Sequence, residues 1–458
     1  MTRPSTTTTI SERITASFTR ALEWLGGKPH QSGPSWPWPG IYLGAGERGS
    51  VWSGPESHVL VVGPPRSGKT TSIVIPTLAL HRGPAVVTST KPDVLSATAF
   101  RRRQLGRCWL WDPTGTTPRP QGVEELRWSP VQGCERWDVA VARAWALSTA
   151  ARPGQQFTDA AHWVERAQAL LAPLLHAAAL EDAELVVVLS WLHQRELRLA
   201  FEILQRHRAH LAHDLLSGIS TTEHREQSGI FSTADSILSG YRTEAALAGT
   251  RYPNFNPDAF VHSCETLYIC APGSAHAQHA SLVVALLQHL RDAIAQRPRP
   301  WPPVVWALDE LANISPIPDL PTVVADSAAQ GLLVLACLQD LSQARARWGP
   351  AADGFLTLFP TDVILHGIAD LPTLNIVSAI AGDIDVRRTS HTTPSGLPFS
   401  GTSSKTTHTE RHPRLPVSAI SQGNPGQAIL LTGTHPSRLR LTPWFIQPTL
   451  RSVFTASD

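Results

Sequence analysis

The sequence predicts an α/β fold, in which a mostly parallel β-sheet carries helices on both faces and an all-helical segment is inserted into it. Three observations lead to this prediction. From His58 onward, short apolar segments alternate with helical ones, as in parallel sheets that are buried on both faces. The first apolar segment runs into a glycine-containing loop and then a helix. From about Trp137 to Ala248 the strand pattern stops, and Ala, Leu, Glu and Arg recur at helical spacing.

Composition excludes several classes of protein. With 458 residues, 42% hydrophobic and 17% charged, the chain is globular and long enough for two or three domains of ~150 residues each. The net charge of +2 does not indicate nucleic-acid binding, so any such contact must come from local patches. The five cysteines form no C-x-x-C pair, which favours a reducing cytoplasm. No apolar run approaches the ~18 residues that cross a bilayer.

The strand and helix patterns define the expected organisation of the chain. Residues 1–57 form an N-terminal segment and linker without a transmembrane helix, and 58–136 and 249–458 form the α/β domain. Residues 137–248 form the all-helical insertion. Residues 387–414 are rich in Ser, Thr, His and Pro and lack periodicity, so we expect a mobile loop there. The predicted strands are 58–63, 85–90, 108–112, 266–271, 303–309, 332–339, 363–368 and 428–433.

The loop after the first predicted strand matches a phosphate-binding motif at every required position. His58–Val62 has the pattern of a buried parallel strand, and Gly63–Thr70 fits G-x-x-x-x-G-K-[ST]. A helix can begin at Thr70, although Pro76 would interrupt or kink it. Such a loop turns successive N–H groups towards one anion, beside the positive end of the helix dipole. The predicted nucleotide-binding residues are Gly63, Pro64, Pro65, Arg66, Ser67, Gly68, Lys69, Thr70 and Thr71.

Lys69 and Thr70 have the chemistry that this motif requires. Lys69 would reach the β- and γ-phosphates of ATP, and Thr70 would place its hydroxyl on Mg²⁺. The chain has only four lysines and otherwise uses arginine, whose planar guanidinium is less compact and mobile than an ammonium group. A chance match in a turn is the alternative, and the preceding strand and the acidic motif downstream argue against it.

The acidic motif lies in Pro302–Ile314, an apolar strand that ends in Asp309 and Glu310. If this strand lies beside the first one, Asp309 would be near the metal-bound water. Asp309 and Thr70 are therefore the predicted residues of the metal site. Glu310 would lie near the γ-phosphate, where it can orient or deprotonate the attacking water. The alternative is an acidic pair that caps the helix from Leu311. The phosphate-binding loop makes the hydrolytic interpretation the favoured one.

Gln339 ends another buried strand and is the third predicted catalytic residue, with Lys69 and Glu310. An amide at a strand tip beside the phosphates could sense the γ-phosphate or position water. It could equally cap the following helix, and the sequence leaves both interpretations open. Open parallel sheets bind ligands at the carboxyl ends of their strands, where Lys69, Asp309 and Gln339 are all expected.

The motifs and their order resemble those of the TraG/TraD-type coupling proteins of type IV secretion, the conjugation ATPases. The resemblance covers roughly His58 to Phe445 and includes a helical insertion in the family's usual place. The matching stretches are "GPPRSGKTTSIVIPTL", "VVTSTKPDVLSAT", "CWLWDPTG", "RWSP", "LDELANISPIPDLPTVVADSAAQGLLVLACLQDLSQARARWG" and "GQAILLTGTHPSRLRLTPW".

The resemblance implies a RecA-like P-loop motor that assembles as a homohexameric ring and hydrolyses ATP with Mg²⁺. Such motors drive DNA, often a relaxase-linked single strand, towards a type IV secretion channel at the inner face of the cell membrane. The resemblance implies that Gly63–Thr70 bind ATP, that Asp309 holds the metal-bound water and that Glu310 is the catalytic base. The insertion at 137–248 corresponds to the part of the family that is associated with DNA and relaxosome recognition.

Two features depart from the family pattern. The upstream 57 residues carry no transmembrane helix, which implies a membrane-anchoring partner or work without an anchor. Many relatives have an arginine just before the strand that ends in the sensor glutamine, and the stretch 328–331 lacks it. An arginine finger, which acts on the nucleotide of a neighbouring subunit, would then come from elsewhere. Arg242 and Arg251 are the candidates.

Two other functions stay open. A nucleotide-gated adaptor would bind ATP and relaxosome or membrane partners without translocating DNA. An FtsK-like translocase would move double-stranded DNA, although no winged DNA-reading domain is evident after Phe445. Among local basic patches, Arg101–Arg103 with Arg107 could contact phosphates, but we favour a helix end, where cations suit the dipole.

Overall fold

A twelve-stranded β-sheet organises the chain. The computed structural model describes residues 40–46, 49–151, 158–271, 276–298, 302–392 and 404–455; most of the N-terminal segment lies outside these ranges. The strands of the sheet are β1 (Tyr42–Gly46), β2 (Gly49–Trp52), β3 (Val59–Val62), β4 (Ala85–Ser89), β5 (Cys108–Trp111), β6 (Glu124–Glu125), β7 (Thr266–Cys270), β8 (Val304–Leu308), β9 (Leu332–Leu338), β10 (Thr361–Leu365), β13 (Gln427–Thr432) and β14 (His435–Arg440).

The sheet is mainly parallel, as predicted. Its order is β2-β1-β14-β13-β10-β3-β9-β8-β4-β7-β5-β6, and every pair from β10 to β6 is parallel. The four strands on the other side are antiparallel. All eight predicted strands are confirmed within three residues at each end; the largest difference is at β10, predicted at 363–368. Strands β1, β2, β6 and β14 were not predicted from the sequence; they are short or polar strands near the sheet edges.

The central strands are buried on both faces. Every residue of β3, β4, β8 and β9 is buried, which explains why these strands are continuous apolar runs rather than alternating ones. Leu60 and Val62 pack into the core of one face, and Val59 and Val61 into the core of the other. This two-sided burial fixes the register of β3 and therefore the position of the loop that follows it.

Between Trp137 and Ala248 the elements in the described ranges are all helices, with no strand among them. They pack on the same core as one face of the sheet. The division of the chain into an α/β domain and a separate insertion stays a prediction. The helices are α3 (Trp137–Ala151), α4 (Thr158–Leu180), α5 (Leu185–Gln194), α6 (Arg198–Arg206), α7 (His210–Ser220), α8 (His224–Ile237) and α9 (Glu244–Ala248), with a 3₁₀ turn at Ser239–Arg242.

The other helices connect the strands or follow them. None of the helices in the described part of the chain is both long and apolar enough to span a bilayer. They are α1 (Ile75–Leu80), α2 (Asp93–Arg103), α10 (Pro257–Val261), α11 (His276–Ala295), α12 (Leu311–Ile314), α13 (Leu320–Asp326), α14 (Leu341–Trp348), α15 (Phe355–Leu358), α16 (Leu371–Ala381), α17 (Val417–Ser421) and α18 (Pro448–Thr455), with a 3₁₀ turn at Gly349–Gly354.

A two-stranded ribbon replaces much of the irregular loop expected at 387–414. Strands β11 (Asp383–Thr392) and β12 (Ser404–Pro413) pair antiparallel without a break in register. The expectation of irregular structure is therefore wrong for 387–392 and 404–413, and 393–403 lie outside the described residues. The reason is that threonine, which recurs in both strands, suits an extended chain even without an apolar alternation.

The helix after the loop continues through Pro76. Residues Thr70–Val74 form a π-helical turn that continues into α1, with Pro76 in the first turn of α1. The Ile75 N–H donates to the Thr70 carbonyl, five residues back. The wider π turn accommodates a residue that has no N–H, so the expected interruption takes this milder form.

Candidate nucleotide-binding site

Three strand ends bring the predicted site residues to one edge of the sheet. Strand β9 lies between β3 and β8, and all three are parallel. The Gly63 N–H donates to the Leu338 carbonyl at 3.1 Å, so the loop after β3 starts beside Gln339. Asp309 follows β8 directly, and its N–H donates to the Thr88 carbonyl at 3.2 Å. The topology thus joins two motifs that are more than 200 residues apart.

The loop backbone is held in a conformation that depends on glycine. A Cβ added at Gly63 would lie 2.6 Å from the Cβ of Leu365, so no larger residue fits there without movement. Gly68 has a φ of +97°, a region that other residues rarely adopt. Arg66 also has a positive φ, of +62°, at the exposed tip of the loop. Together these turns curl the chain around a concave centre.

The side chains at the centre of the loop suit an anion. The Lys69 ammonium donates to the carbonyls of Gly63 and Pro64, which holds it above the loop. The Ser67 hydroxyl is buried and has no hydrogen-bond partner among the described residues. A buried donor without a partner costs free energy, and a phosphate oxygen would satisfy it. The residues present therefore fit a bound phosphate group.

Thr70 and Asp309 meet directly. The Thr70 hydroxyl lies 2.9 Å from each carboxylate oxygen of Asp309 and donates to them. Burial, and to a smaller extent the neighbouring Glu310, raises the pKa of Asp309 to about 6, although the Thr70 hydrogen bond and Lys69 act in the opposite direction. A hydroxyl and a carboxylate are the oxygen ligands that Mg²⁺ prefers, so this pair fits a magnesium ion with its waters.

Glu310 does not cap the helix that follows it. Glu310 immediately precedes α12, but its side chain makes no capping hydrogen bond to the helix backbone. Its carboxylate instead accepts a hydrogen bond from the Asn313 amide at 3.1 Å. The geometry therefore does not support the capping interpretation of Glu310, and the half-buried carboxylate lies next to Asp309 at the sheet edge.

Gln339 lies at the end of β9 and does not cap the helix that follows, because Asp340 does so. Asp340 accepts hydrogen bonds from the N–H groups of Ser342 and Gln343 and so caps α14. The Gln339 N–H donates to the side-chain oxygen of Gln343 at 2.9 Å. A role of the Gln339 amide towards a bound phosphate or water stays a prediction.

The remaining loop residues take lesser positions. Pro65 is exposed at the tip of the loop beside Arg66, and Thr71 lies in the first turn of the helix with its hydroxyl 3.5 Å from the Gly68 carbonyl. Two segments that were not predicted from the sequence touch the loop or the helix after it. A Cβ at Gly367, after β10, would lie 3.1 Å from Pro64, and the Trp444 N–H donates to the Thr71 carbonyl at 3.0 Å. The local sequence carried no signal for either contact.

The arginines singled out from the sequence are engaged elsewhere. Arg101 and Arg102 are buried at the end of α2, as the helix-end interpretation requires, whereas Arg103 donates to the Gln121 carbonyl. Arg107 pairs with Glu124 at 3.3 Å. The two candidate fingers form ion pairs with residues of the helical segment: Arg242 with Asp235, and Arg251 with Glu184.

Comparison with protein families gives an independent result. Residues 27–456 match the model of the T4SS-DNA_transf family, described as "Type IV secretory system Conjugative DNA transfer". The chain belongs to this family. This confirms the resemblance seen in the motifs and extends it to almost the whole chain. A search of curated proteins finds no match.

Solved structures of a conjugative coupling protein have the same fold. The unbound form of the bacterial protein TrwBdeltaN70 matches with a TM-score of 0.65 and 18% identity, over 86% of this chain and 87% of that one. TrwB with the non-hydrolysable analogue ADPNP matches with a TM-score of 0.63 and 17% identity, over 86% and 88%. TrwB with ADP and Mg²⁺ matches with a TM-score of 0.62 and 18% identity, over 85% of each chain. The predicted RecA-like fold is confirmed.

Proposed function

We propose that this chain is an ATP-hydrolysing motor that transfers DNA, or protein-linked DNA, to a type IV secretion channel. The observation that carries the proposal is the contact between Thr70 and Asp309, which unites the phosphate-binding loop and the acidic strand end in one site. Membership of the conjugative DNA transfer family supports the DNA substrate. The TrwB structures with ADPNP and with ADP and Mg²⁺ support the nucleotide and the metal.

In this proposal each polar side chain of the site has one task. Lys69 gives up one of its carbonyl partners and donates to the β- and γ-phosphates, while the loop N–H groups and Ser67 hold the remaining oxygens. Thr70 and Asp309 would hold Mg²⁺ with its waters, a role that requires the ionised form of Asp309. Glu310 orients a water and accepts its proton on a carboxylate oxygen. ATP supplies the anhydride bond whose hydrolysis releases the free energy.

We infer the larger assembly from the resemblance to the coupling proteins. A homohexamer would pass a strand between subunits that hydrolyse ATP in turn, and the segment 137–248 would carry the contacts to DNA and the relaxase as an insertion in the α/β domain. We further propose a cytoplasmic motor that works at the inner face of the membrane through an anchoring partner. A finger acting on the neighbour's active site stays a prediction, and for Arg242 or Arg251 it would require the arginine to leave its present carboxylate partner.

Steady-state ATP turnover of the purified chain tests the proposal. The assay compares the chain alone, with single-stranded DNA and with double-stranded DNA, and includes Glu310→Gln beside the exposed control Glu125→Gln. We expect DNA to raise turnover several-fold in the wild type and in the control. Glu310→Gln should lower kcat by at least about 100-fold, because it removes the general base, and should leave nucleotide affinity almost unchanged.

The same assay separates the competing functions. ATP binding without turnover above that of Glu310→Gln, with every DNA tested, would contradict a motor and favour a nucleotide-gated adaptor. Stimulation by double-stranded DNA alone would favour an FtsK-like translocase. Stimulation by single strands, or by a strand joined to its relaxase, is the outcome that the proposal predicts.

A further inference from the structure

A turn near the end of the chain, Pro443–Gln447, is fixed beside the phosphate-binding loop. The Trp444 N–H donates to the Thr71 carbonyl at 3.0 Å, and Thr71 is the second residue after Lys69. Within the turn, the N–H of Ile446 donates to the Pro443 carbonyl at 3.0 Å. The Tyr42 hydroxyl donates to the Gln447 side chain at 3.5 Å and holds the other end. The turn is therefore tied both to the nucleotide site and to β1.

Pro76 explains why this anchor exists. In the π turn, the N–H of residue i+5 donates to the carbonyl of residue i, as Ile75 does to Thr70. The next donor in this pattern would be Pro76, which has no N–H. The Thr71 carbonyl is left without its intrahelical donor, and a carbonyl in that position needs a partner. The Trp444 N–H supplies it and so brings the turn to the first turn of the helix.

The anchored turn presents an aromatic ring to solvent. The Trp444 ring packs against Phe454, with centroids 4.4 Å apart, and meets Phe445 edge-on at 5.8 Å. Phe445 itself is 50% exposed and Ile446 is 61% exposed. Exposed apolar side chains are common singly, but two adjacent ones on a fixed turn form a small apolar surface. This surface is joined to the helix that follows the phosphate-binding loop through the hydrogen bond between Trp444 and Thr71.

We propose that Phe445, supported by Ile446, binds the base of the nucleotide whose phosphates lie on Gly63–Thr70. This inference rests on the proposed function. The loop and Lys69 hold the phosphate end of the ligand, so its ribose and base lie beyond the loop. Thr71, in the first turn of the helix after the loop, is fixed to the aromatic turn. A base has an apolar face that stacks on an aromatic ring.

Stacking recognises the presence of a base more than its identity. It depends on ring area, and every base has a π face, so we expect Phe445 to strengthen binding of ATP and GTP to a similar degree. Inorganic tripolyphosphate carries the phosphate chain without ribose or base. Its affinity should therefore depend on Lys69 and not on Phe445. This difference gives a measurement in which the two parts of the site act separately.

The test measures the affinities of wild type, Phe445→Ala, Phe445→Leu and Phe445→Tyr for ATP and for tripolyphosphate, each with Mg²⁺. We expect Phe445→Ala and Phe445→Leu to lower ATP affinity roughly 5-fold or more, as loss of one stacked base does. Phe445→Tyr should retain it, since the ring remains. Tripolyphosphate affinity should change by less than about 2-fold, because the phosphate contacts remain. Tyr252→Ala, at an aromatic ring that is 75% exposed elsewhere, serves as the matched control.

Equal ATP affinities of wild type and Phe445→Ala would overturn the inference and leave the proposed function intact. A parallel loss of tripolyphosphate affinity would also overturn it, because the side chain would then act on the loop rather than on the base. Wild type that binds neither ligand would overturn the proposed function as well. Unchanged thermal unfolding of each variant shows that the comparison is between folded proteins.

Discussion

Lys69 and Arg102 lie at opposite ends of the parallel strands, which we call the carboxyl edge and the amino edge of the sheet. Both side chains donate hydrogen bonds to backbone carbonyls, but they have different roles. At the carboxyl edge, Lys69 donates to two loop carbonyls and is only half-buried. At the amino edge, Arg102 is 0% exposed, and its guanidinium donates to a threonine hydroxyl and several backbone carbonyls. These acceptors belong to the end of α1, the start of β4 and the start of β7: Leu78, His81, Gly83, Cys264, Glu265 and Thr266.

The difference lies in what could replace the carbonyls. Arg102 is closed off from solvent, and burial lowers its pKa. None of these six acceptors is a carboxylate, and its hydrogen bonds act as a fixed tie between three segments. Lys69 faces the concave side of the loop, and an incoming phosphate can take the place of one carbonyl. The amino edge thus maintains the fold, and the carboxyl edge is available for chemistry.

The largest effect is expected at the amino edge. Arg102→Met removes the donors from several buried carbonyls, each of which costs about 1–3 kcal/mol when left without a partner. We expect the free energy of unfolding to fall by at least about 3 kcal/mol in a denaturant titration, because more than one acceptor is lost. Arg103→Met, at the adjacent and more exposed arginine, should change it by less than about 1 kcal/mol. Equal effects of the two variants would contradict the distinction between the edges.

Lys69→Ala should have the opposite profile. Loss of the ammonium removes charge-assisted hydrogen bonds to phosphate, so Mg²⁺–ATP affinity should fall by roughly 100-fold, about 3 kcal/mol. The free energy of unfolding should change by less than about 1 kcal/mol, because Lys69 is only half-buried and water can take the place of its ammonium group. Titration calorimetry measures the affinity, and Lys91→Ala, at an exposed lysine after β4, is the control. A large fall in the free energy of unfolding with little loss of Mg²⁺–ATP affinity would contradict this role and show that Lys69 stabilises the fold instead.

Asp309 should link the site to pH. Burial raises its pKa from 3.8 to about 6 in the folded protein, so between these values the folded state holds more of a proton than the unfolded state. The free energy of unfolding contributed by this group therefore falls as pH rises through that window and is constant above it. Asp309→Asn should raise stability at about pH 8 by roughly 1–3 kcal/mol while weakening Mg²⁺-dependent nucleotide binding.

In the wild type, Mg²⁺-dependent nucleotide affinity should rise as pH increases through about 6, since the metal needs the ionised carboxylate. Denaturant titrations and calorimetry at several pH values check both trends. A stability that rises with pH through this window in the wild type but not in Asp309→Asn would contradict the assigned direction of the pKa shift.

The smallest effect separates two neighbouring threonines. Thr70 touches Asp309 through its hydroxyl, whereas the Thr71 hydroxyl makes only a contact of 3.5 Å with the Gly68 carbonyl. Thr71→Val should change Mg²⁺–ATP affinity by less than about 3-fold, because its main contact is through the backbone. Thr70→Val should lower Mg²⁺–ATP affinity by more than this. ATP should then bind to this variant equally well with and without Mg²⁺. Similar effects of the two variants would remove the special position of Thr70.

The sequence predicted the parts of the molecule whose physics is local. The eight strands are apolar runs buried on both faces, and the motif at Gly63–Thr70 has residue types that its chemistry requires. Asp309 and Glu310 could be predicted because they end such a strand. The topology then brought Thr70 and Asp309 together, as the two motifs had implied.

The missed parts depend on contacts between distant segments or on polar strands. Strand β1 joins the sheet through β14, with Ala45 paired to Arg440, and neither strand has a continuous apolar run. The ribbon β11–β12 consists mostly of polar residues, with Ile384 and Val386 as exceptions, and its pairing satisfies backbone hydrogen-bonding groups. The contact of Trp444 with Thr71 follows from a missing N–H at Pro76, which becomes meaningful only once the π turn is known.

A structure with Mg²⁺ and a non-hydrolysable ATP analogue tests the central claim most directly. The account predicts the β- and γ-phosphates within the loop on Lys69, Mg²⁺ on the Thr70 hydroxyl with Asp309 beside it, and Glu310 facing the γ-phosphate. Arg102 should keep the same carbonyl partners. Phosphates bound away from Gly63–Thr70, or a metal that contacts neither Thr70 nor the surroundings of Asp309, would contradict the account.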